Sequence, residues 1–462
     1  MEFPDIEKAH LVKSAYTERD DRLLSHNAST RPEKQSCKNV GEKVTPSQQW
    51  RILVSTSLVA FTVIGFVQSF GVFQAHYGRK VAVRDGVIRQ EEMTKRALIS
   101  SIGSLSNGGL VAIFGILYYP HLPRIGKRIK TLCFAGTACI AVGYSTAAAS
   151  HDVWVLFGCQ GVLVGIGTGI LIYLLSPILP EYFPQRSGLA QGTMYAAAAL
   201  GGTTFSFVNT SMLEKIGTRA TLGVLAAFSF VVLSVASGLA LPPRKFEKRS
   251  RKVMNWRAFK DPMFFSLAVV NFIHPLTLAI PMNFGPEFAE SLGASIKQAS
   301  YLLAMNSGVG IPSRLGAGAL ADKIGHQNAL MIATAVYVFA TWALWLPSAL
   351  TNNLRLFMGM SVCHGLINGV FNTTMNSIQR QLFGDEMYYP KNGVLTSIRG
   401  VGYVIGVPIA GALVSRVADE DLSGEDFLVP IVYTASLLTI GLLSLANVRR
   451  LDARGSGWKW VR

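Results

Sequence analysis

Charge is scarce in this chain, and negative charge is scarcest: Asp and Glu number 27 among 462 residues, Lys and Arg 43, and the four together make up only 15%. Half the residues are hydrophobic and the mean hydropathy is +0.34, too apolar for a chain of soluble domains. The few charges are segregated into the first fifty residues, short interruptions between apolar stretches, and one central cluster. Segments that cross hydrocarbon demand that segregation. Cysteine is scarce as well. Cys133, Cys139, Cys159 and Cys363 sit in or beside apolar runs without CxxC spacing, and Cys37 lies in the polar N-terminal stretch, so they read as small apolar residues rather than a disulfide or metal framework. There is no HExxH, no GxSxG and no pair of intramembrane carboxylates, which argues against an enzyme. The missing P-loop excludes a self-contained ATP-driven pump. No cofactor and no metal is expected. Residues 1–49 hold no apolar h-region, so a flexible cytosolic tail is expected there rather than a cleaved signal peptide.

What the chain does contain is apolar stretches of about twenty residues. They fall near 51–75, 97–119, 130–149, 153–176, 188–210 and 218–241, then near 263–288, 298–320, 328–348, 354–378, 392–415 and 427–447. The expected fold is all-α and polytopic, with about twelve transmembrane helices in two six-helix halves, 50–241 and 263–448. The linker 242–262 holds Arg244, Lys245, Lys248, Arg249, Arg251, Lys252, Arg257 and Lys260 against Glu247 and Asp261, which places it in the cytosol. Even helix counts then put both termini, including the tail 449–462, on the same side. The loop 76–96 is the exception, being basic on the side expected to be external. The net charge of +16 lies mostly at membrane boundaries, so the bilayer, not nucleic acid, is its expected partner.

The halves echo each other. At an offset of about 200 residues, Leu156, Phe157, Gly165, Gly169 and Phe183 meet Leu356, Phe357, Gly365, Gly369 and Phe383. Two related bundles imply a pathway between them for a small-molecule substrate.

Polar residues inside the apolar segments are the candidates for lining it. Arg314 lies where an unpaired cation would cost at least about 2.5–3.5 kcal/mol, so it faces protein or water. Its planar fork suits a carboxylate, while a structural pair or a snorkelling contact is the alternative. Arg399 is a second intramembrane cation with the same two readings, and Tyr403 shares its face. Asn368, Asn372 and Asn376 form a stripe at helical spacing that either lines the pathway or bonds to neighbouring helices. Gln68, Tyr173, Tyr195, Asn271 and Asn306 are weaker candidates of the same kind. His274 and His364 titrate nearest neutral pH and are the candidate proton carriers, against the usual role of a membrane histidine as a structural hydrogen-bonding group. The glycines at four-residue spacing, Gly161, Gly165 and Gly169, read as close helix packing.

Gly318-Ala-Leu-Ala-Asp322-Lys-Ile-Gly325-His326 resembles the loop motif GxLaDrxGrr of the major facilitator superfamily. Gly65-Phe-Val-Gln68-Ser69-Phe-Gly71, the glycines 161–169 leading to Tyr182-Phe183, Gly406-x-Pro408-Ile-Ala-Gly411 and Ser313-Arg314-xxx-Gly318 resemble the monocarboxylate transporter branch, its fungal members above all. The resemblance implies that Asp322, with Gly318 and Gly325, gates the conformational change, and that Arg314 occupies the carboxylate-binding place. It departs from that branch at Gly310 and Gln68, where animal members carry an aspartate and a lysine, so proton coupling (symport) stays open. At position 123 a proline replaces the aspartate of the first-half loop.

The expected function is a secondary transporter moving an organic anion, a monocarboxylate or carboxylated metabolite, by alternating access. A carrier of a neutral or amphipathic solute such as a vitamin or secondary metabolite is the alternative, and a non-transporting nutrient receptor a remote one. The plasma membrane is favoured over the vacuolar membrane. Substrate identity, direction, coupling ion and oligomeric state stay open, a monomer being allowed. On this topology a cysteine placed within 244–260 resists a membrane-impermeant maleimide added outside intact cells. Ready modification from outside would reverse the orientation.

Overall fold

The computed structural model describes residues 44–92, 95–107, 109–119, 126–183, 186–244, 256–414 and 423–457; the side chains of Arg96, Ser187, Asp322, Asp385, Glu386 and Ser456 lie outside that description. Cys37, Pro123, most of the N-terminal tail and the centre of the basic linker are therefore outside it too.

Among the described residues every regular element is helical. Pro46–Tyr77 forms α1. Its start is written locally: Thr45 accepts from Gln48 N at 3.3 Å, Gln48 accepts in return from Thr45 N at 3.1 Å, and Pro46 presets the first turn. Residues 96–118 form α2 in three pieces that part around Asn107 and Phe114. Gly126–Ala148 is α3 and Val153–Tyr182 is α4. The helical stretch Ser187–Leu239 divides at Gly217, whose φ of 76° and ψ of 174° no side-chain-bearing residue adopts readily, giving α5 (187–216) and α6 (218–239). The second half follows as α7 (Pro262–Ser291), α8 (Ile296–Ile324), α9 (His326–Leu350), α10 (Leu354–Gly384), α11 (Met387–Leu413) and α12 (Leu428–Ser456).

Nine of the described helical stretches are long and apolar enough to cross a membrane, one of them the double span of α5 and α6. The broken α2 and the more polar α8 complete the twelve. Several helices run past the expected bounds, among them α1, which begins at Pro46, α4, which ends at Tyr182, and α10, which ends at Gly384. The fifth span runs past 210 to the break at Gly217, and α12 continues to Ser456, where Gln327 donates to Asp452 at 3.0 Å and ties the last turns to α9.

One large apolar core is drawn mostly from residues 52–241, and two smaller ones from residues 264–448. Between them run two seams built on missing side chains. Along α5 and α8, a Cβ on Gly192 would come within 2.9 Å of Arg314 O and one on Gly318 within 3.3 Å of Gly188 O. Thr203 and Ser300 add hydrogen bonds to Ala304 O at 3.3 Å and Ser206 O at 3.0 Å across the same seam. Along α2 and α11, a Cβ on Gly115 would come within 2.9 Å of Gly393 O, and one on Gly400 within 2.7 Å of Gly109 O. Small residues let backbones meet where lipid offers no hydrophobic drive for association. The break in α2 leaves Ile116 N without a helical acceptor, and Ser397 Oγ takes it at 2.9 Å.

Proline supplies further contacts. Pro281 and Pro286 interrupt α7 and free the carbonyls four residues earlier. Thr277 O accepts from Tyr337 OH at 3.4 Å, and Met282 O lies where a Cβ on Gly71 of α1 would be, 2.2 Å away. At the same end Arg79 pairs with Glu290, joining the ends of α1 and α7. At the end where α1 begins, Glu181 accepts from Tyr389 of α11 and from Arg244 N at 2.8 Å, while Tyr182 donates to Pro242 O at 2.7 Å. Glu181 thus bonds both the opposite half and the linker.

Candidate functional site

Arg314 sits on α8 at the α5 seam and is 3% exposed. Three glycines make room for it. Gly192 admits its backbone, Gly310 lies one turn earlier beside the guanidinium, and a Cβ on Gly369 of α10 would meet Arg314 Cγ at 2.0 Å. One guanidinium nitrogen, Nη1, donates to Tyr195 O of α5 at 3.1 Å, a contact between the two halves. Nε is buried and meets no acceptor. Among the described residues no carboxylate pairs with Arg314.

Arg399 on α11 is held differently. Its Nε and Nη2 donate to Asn271 Oδ1 of α7 at 3.2 and 2.6 Å. Asn271 is wholly buried and its own Nδ2 donates to Leu267 O at 2.8 Å, which fixes the amide with its oxygen toward the arginine. The guanidinium also lies 5.2 Å from the centre of the Phe371 ring on α10, a cation–π contact. His274 stacks on that same ring, with centroids 3.4 Å and planes 14° apart. Among the described residues Arg399, too, has no carboxylate partner; an amide oxygen and an aromatic face stand in for one.

Around the two arginines gather phenols from both halves. Tyr119, Tyr173 and Tyr195 from the first half and Tyr388 and Tyr403 from the second all lie within electrostatic range of Arg399, and Tyr195 is within range of Arg314 as well. Tyr119 and Tyr389 approach across the α2–α11 seam with centroids 6.4 Å apart. Such a cluster presents cationic donors, hydroxyls and aromatic faces together, a combination suited to an anionic group on an apolar body.

The other sequence candidates fall into separate places. Asn306 donates to His364 Nδ1 at 2.8 Å and to Ser361 O at 3.0 Å, so the imidazole accepts at Nδ1 and carries its proton on Nε2. The Tyr337 ring meets His364 at 5.2 Å. Asn368 donates to Met282 Sδ at 3.4 Å, and Asn372 and Asn376 are half-buried along the same helix. Gln68 is buried on α1, opposite Gly202. Gly318 touches α5, and Gly325, with φ of 91°, turns the chain from α8 into α9; the Asp322 side chain lies outside the described residues. Sequence reasoning passed over Tyr119, Tyr388 and Phe371. The available signal was the doublets Tyr118-Tyr119 and Tyr388-Tyr389 at the ends of facing spans.

With this geometry in hand, comparison with known proteins is decisive for the family. A family model described as Major Facilitator Superfamily matches residues 52–388 and, in a second placement, 267–454. The chain belongs to this superfamily. Its relatives include the MFS-type transporter pynF of Aspergillus niger, 24% identical over 404 residues that cover 86% of this chain and 89% of the relative. The Fujikurins efflux protein of Gibberella fujikuroi is 24% identical over 406 residues, covering 87% and 84%. Among solved structures, the nucleoside transporter NupG superposes with a TM-score of 0.62 at 13% identity, covering 87% of this chain and 98% of the other, a likeness of fold alone. As a Major Facilitator transporter, the protein is a multi-pass membrane protein, and its seam between halves is where a solute would pass.

The Arg399–Asn271 pair makes a specific prediction. Asn271→Leu strands a buried guanidinium and lowers unfolding stability in mixed micelles by about 1.5–3 kcal/mol. Arg399→Met in the same chain recovers most of that loss, because the pair then leaves together. Simple additivity of the two substitutions would show that the contact carries no energy.

Proposed function

We propose that this transporter moves an amphipathic organic anion, a carboxylated metabolite with an extended or aromatic body, by alternating exposure of the seam between its halves. The observation that carries the reading is the pair of buried guanidiniums, Arg314 and Arg399, which have hydrogen-bond acceptors but no carboxylate partner among the described residues. An anionic solute would supply the missing charge. The phenols of Tyr119, Tyr173, Tyr195 and Tyr403 would cover its apolar body. Arg314 is the anchor, since its Nε is unpartnered and its fork can form two parallel bonds to a carboxylate.

The resemblance of the Arg314 region to monocarboxylate transporters supports the carboxylate. The name of the Gibberella relative, an efflux protein, supports export as the direction. For proton coupling, His274 is the titratable candidate placed beside Arg399, through the shared Phe371 ring. A neutral solute is the second reading, favoured by the uncharged Gln68 on α1.

Arg314→Gln should nearly abolish transport in reconstituted vesicles while the protein reaches the membrane at normal abundance. Arg314→Lys, a point charge in place of a fork, should weaken affinity roughly ten- to a hundredfold. Normal transport by Arg314→Gln would transfer the argument to the neutral solute.

A further inference from the structure

A second point in the seam has polar atoms without partners. Gln68 Oε1 on α1 and Ser307 Oγ on α8 are both buried with no hydrogen-bond partner, their residues 6% and 2% exposed. They converge on Gly202 of α5, where an added Cβ would stand 2.7 Å from Gln68 Oε1 and 2.8 Å from Ser307 Oγ. Three helices and both halves thus meet at one point, the Gln68–Gly202–Ser307 cell, where Gly202 presents only a hydrogen to the two oxygens.

The local backbone explains why these groups are free to serve a ligand. Hydroxyls buried in helices ordinarily donate to the carbonyl four residues back, as Thr203, Ser206 and Thr210 do to Ala199, Gly202 and Ser206. Ser307 makes no such bond. Gln68 ends a short helical stretch of α1, directly before the break at Ser69 (φ −92°, ψ 0°), and Ser69 is pinned by Asn209 Nδ2 at 3.1 Å. A turn of π-helix at Ala60–Ile64 precedes it, a local widening that recurs at functional sites. The carboxamide oxygen is not consumed by the helix. A buried acceptor and a buried hydroxyl left unmatched call for a partner that both donates and accepts. A neutral hydroxyl or amide meets both requirements.

Ser307 and Arg314 are seven residues apart on α8, two turns on one face, about 10 Å along the axis. We propose that the Gln68–Gly202–Ser307 cell is a second binding point of the same solute, taking a neutral hydroxyl or amide about two helical turns from the anionic group at Arg314. The hydroxyl donates to Gln68 Oε1 and accepts from Ser307 Oγ. The proposal rests on the reading of Arg314 as the anion anchor, and it narrows the solute to an elongated molecule polar at both ends.

The test uses the purified full-length protein and two matched pairs of probes in a direct binding measurement. Biphenyl-4-carboxylate and 4′-hydroxybiphenyl-4-carboxylate span about two helical turns; benzoate and 4-hydroxybenzoate are too short to reach both points. The hydroxyl should tighten biphenyl binding about three- to tenfold and leave benzoate binding unchanged. That gain should vanish in Ser307→Ala, Gln68→Leu and Gly202→Ala, while biphenyl-4-carboxylate itself binds each variant as it binds the parent. Ser307→Ala removes one oxygen only and keeps the test open should a larger change disturb folding. Equal binding of the two biphenyls to the parent protein, or a hydroxyl gain that survives Ser307→Ala, overturns the cell and leaves the anion anchor standing. Binding of neither biphenyl overturns the anchor and the cell with it.

Discussion

A guanidinium cannot be left bare in a low-dielectric interior, and the centre of this protein is organised around two of them. Where a soluble protein would place an aspartate or glutamate, α7 offers Asn271 to Arg399, and α5 offers a backbone carbonyl to Arg314. These acceptors satisfy geometry without cancelling charge. Among the described residues the two guanidiniums at the seam thus keep their charge uncancelled, which is the condition the proposed anionic cargo would need in order to bind and then leave. A full counter-charge built into the protein would compete with the cargo, and an unsatisfied cation would cost too much to bury.

Everything else at the seam serves the approach of the halves. Glycine faces backbone along α5–α8 and α2–α11, and the carbonyl freed by Pro286 rests against Gly71 where α1 meets α7. Contacts of this kind hold by fit and release without stranding charges, so they suit surfaces that part and rejoin. Among the described residues, links between the halves that use a carboxylate lie at the ends: Arg79 with Glu290 at one, Glu181 with Tyr389 at the other. They join the two halves at opposite faces of the membrane domain. The alternating cycle proposed above would break them in turn.

Much of this was legible in the sequence because membrane crossing imposes a one-dimensional signal. The apolar stretches, the division of the helices about a basic linker and the out-of-place Arg314 and Arg399 all follow from hydropathy. The break at Gly217 was less visible, since α5 and α6 are apolar on both sides of it and nothing but the glycine marks the turn. The company kept by the arginines was legible only in part: Tyr403 falls on the Arg399 face by helical spacing, and Tyr173, Tyr195 and Asn271 stand out as polar residues in apolar spans, but which arginine each one meets was not legible. Asn271 and Phe371 are far from Arg399 in sequence, and Tyr119, Tyr173, Tyr195, Tyr388 and Tyr403 come from four different helices. Tyrosines near span ends look alike whether they face lipid headgroups or a pathway. Ser307 was hidden for a different reason, as serine in a helix ordinarily satisfies itself locally and only the three-dimensional arrangement shows that this one does not.

The central claim is that the seam recognises negative charge, and exchanging the charge for a neutral group of the same shape tests it most directly. Affinities of biphenyl-4-carboxylate and biphenyl-4-carboxamide for the purified protein should differ roughly ten- to a hundredfold in favour of the carboxylate, the worth of charged hydrogen bonds to a guanidinium. Equal affinities would contradict the account, for then Arg314 and Arg399 would serve only the packing of the helices that carry them.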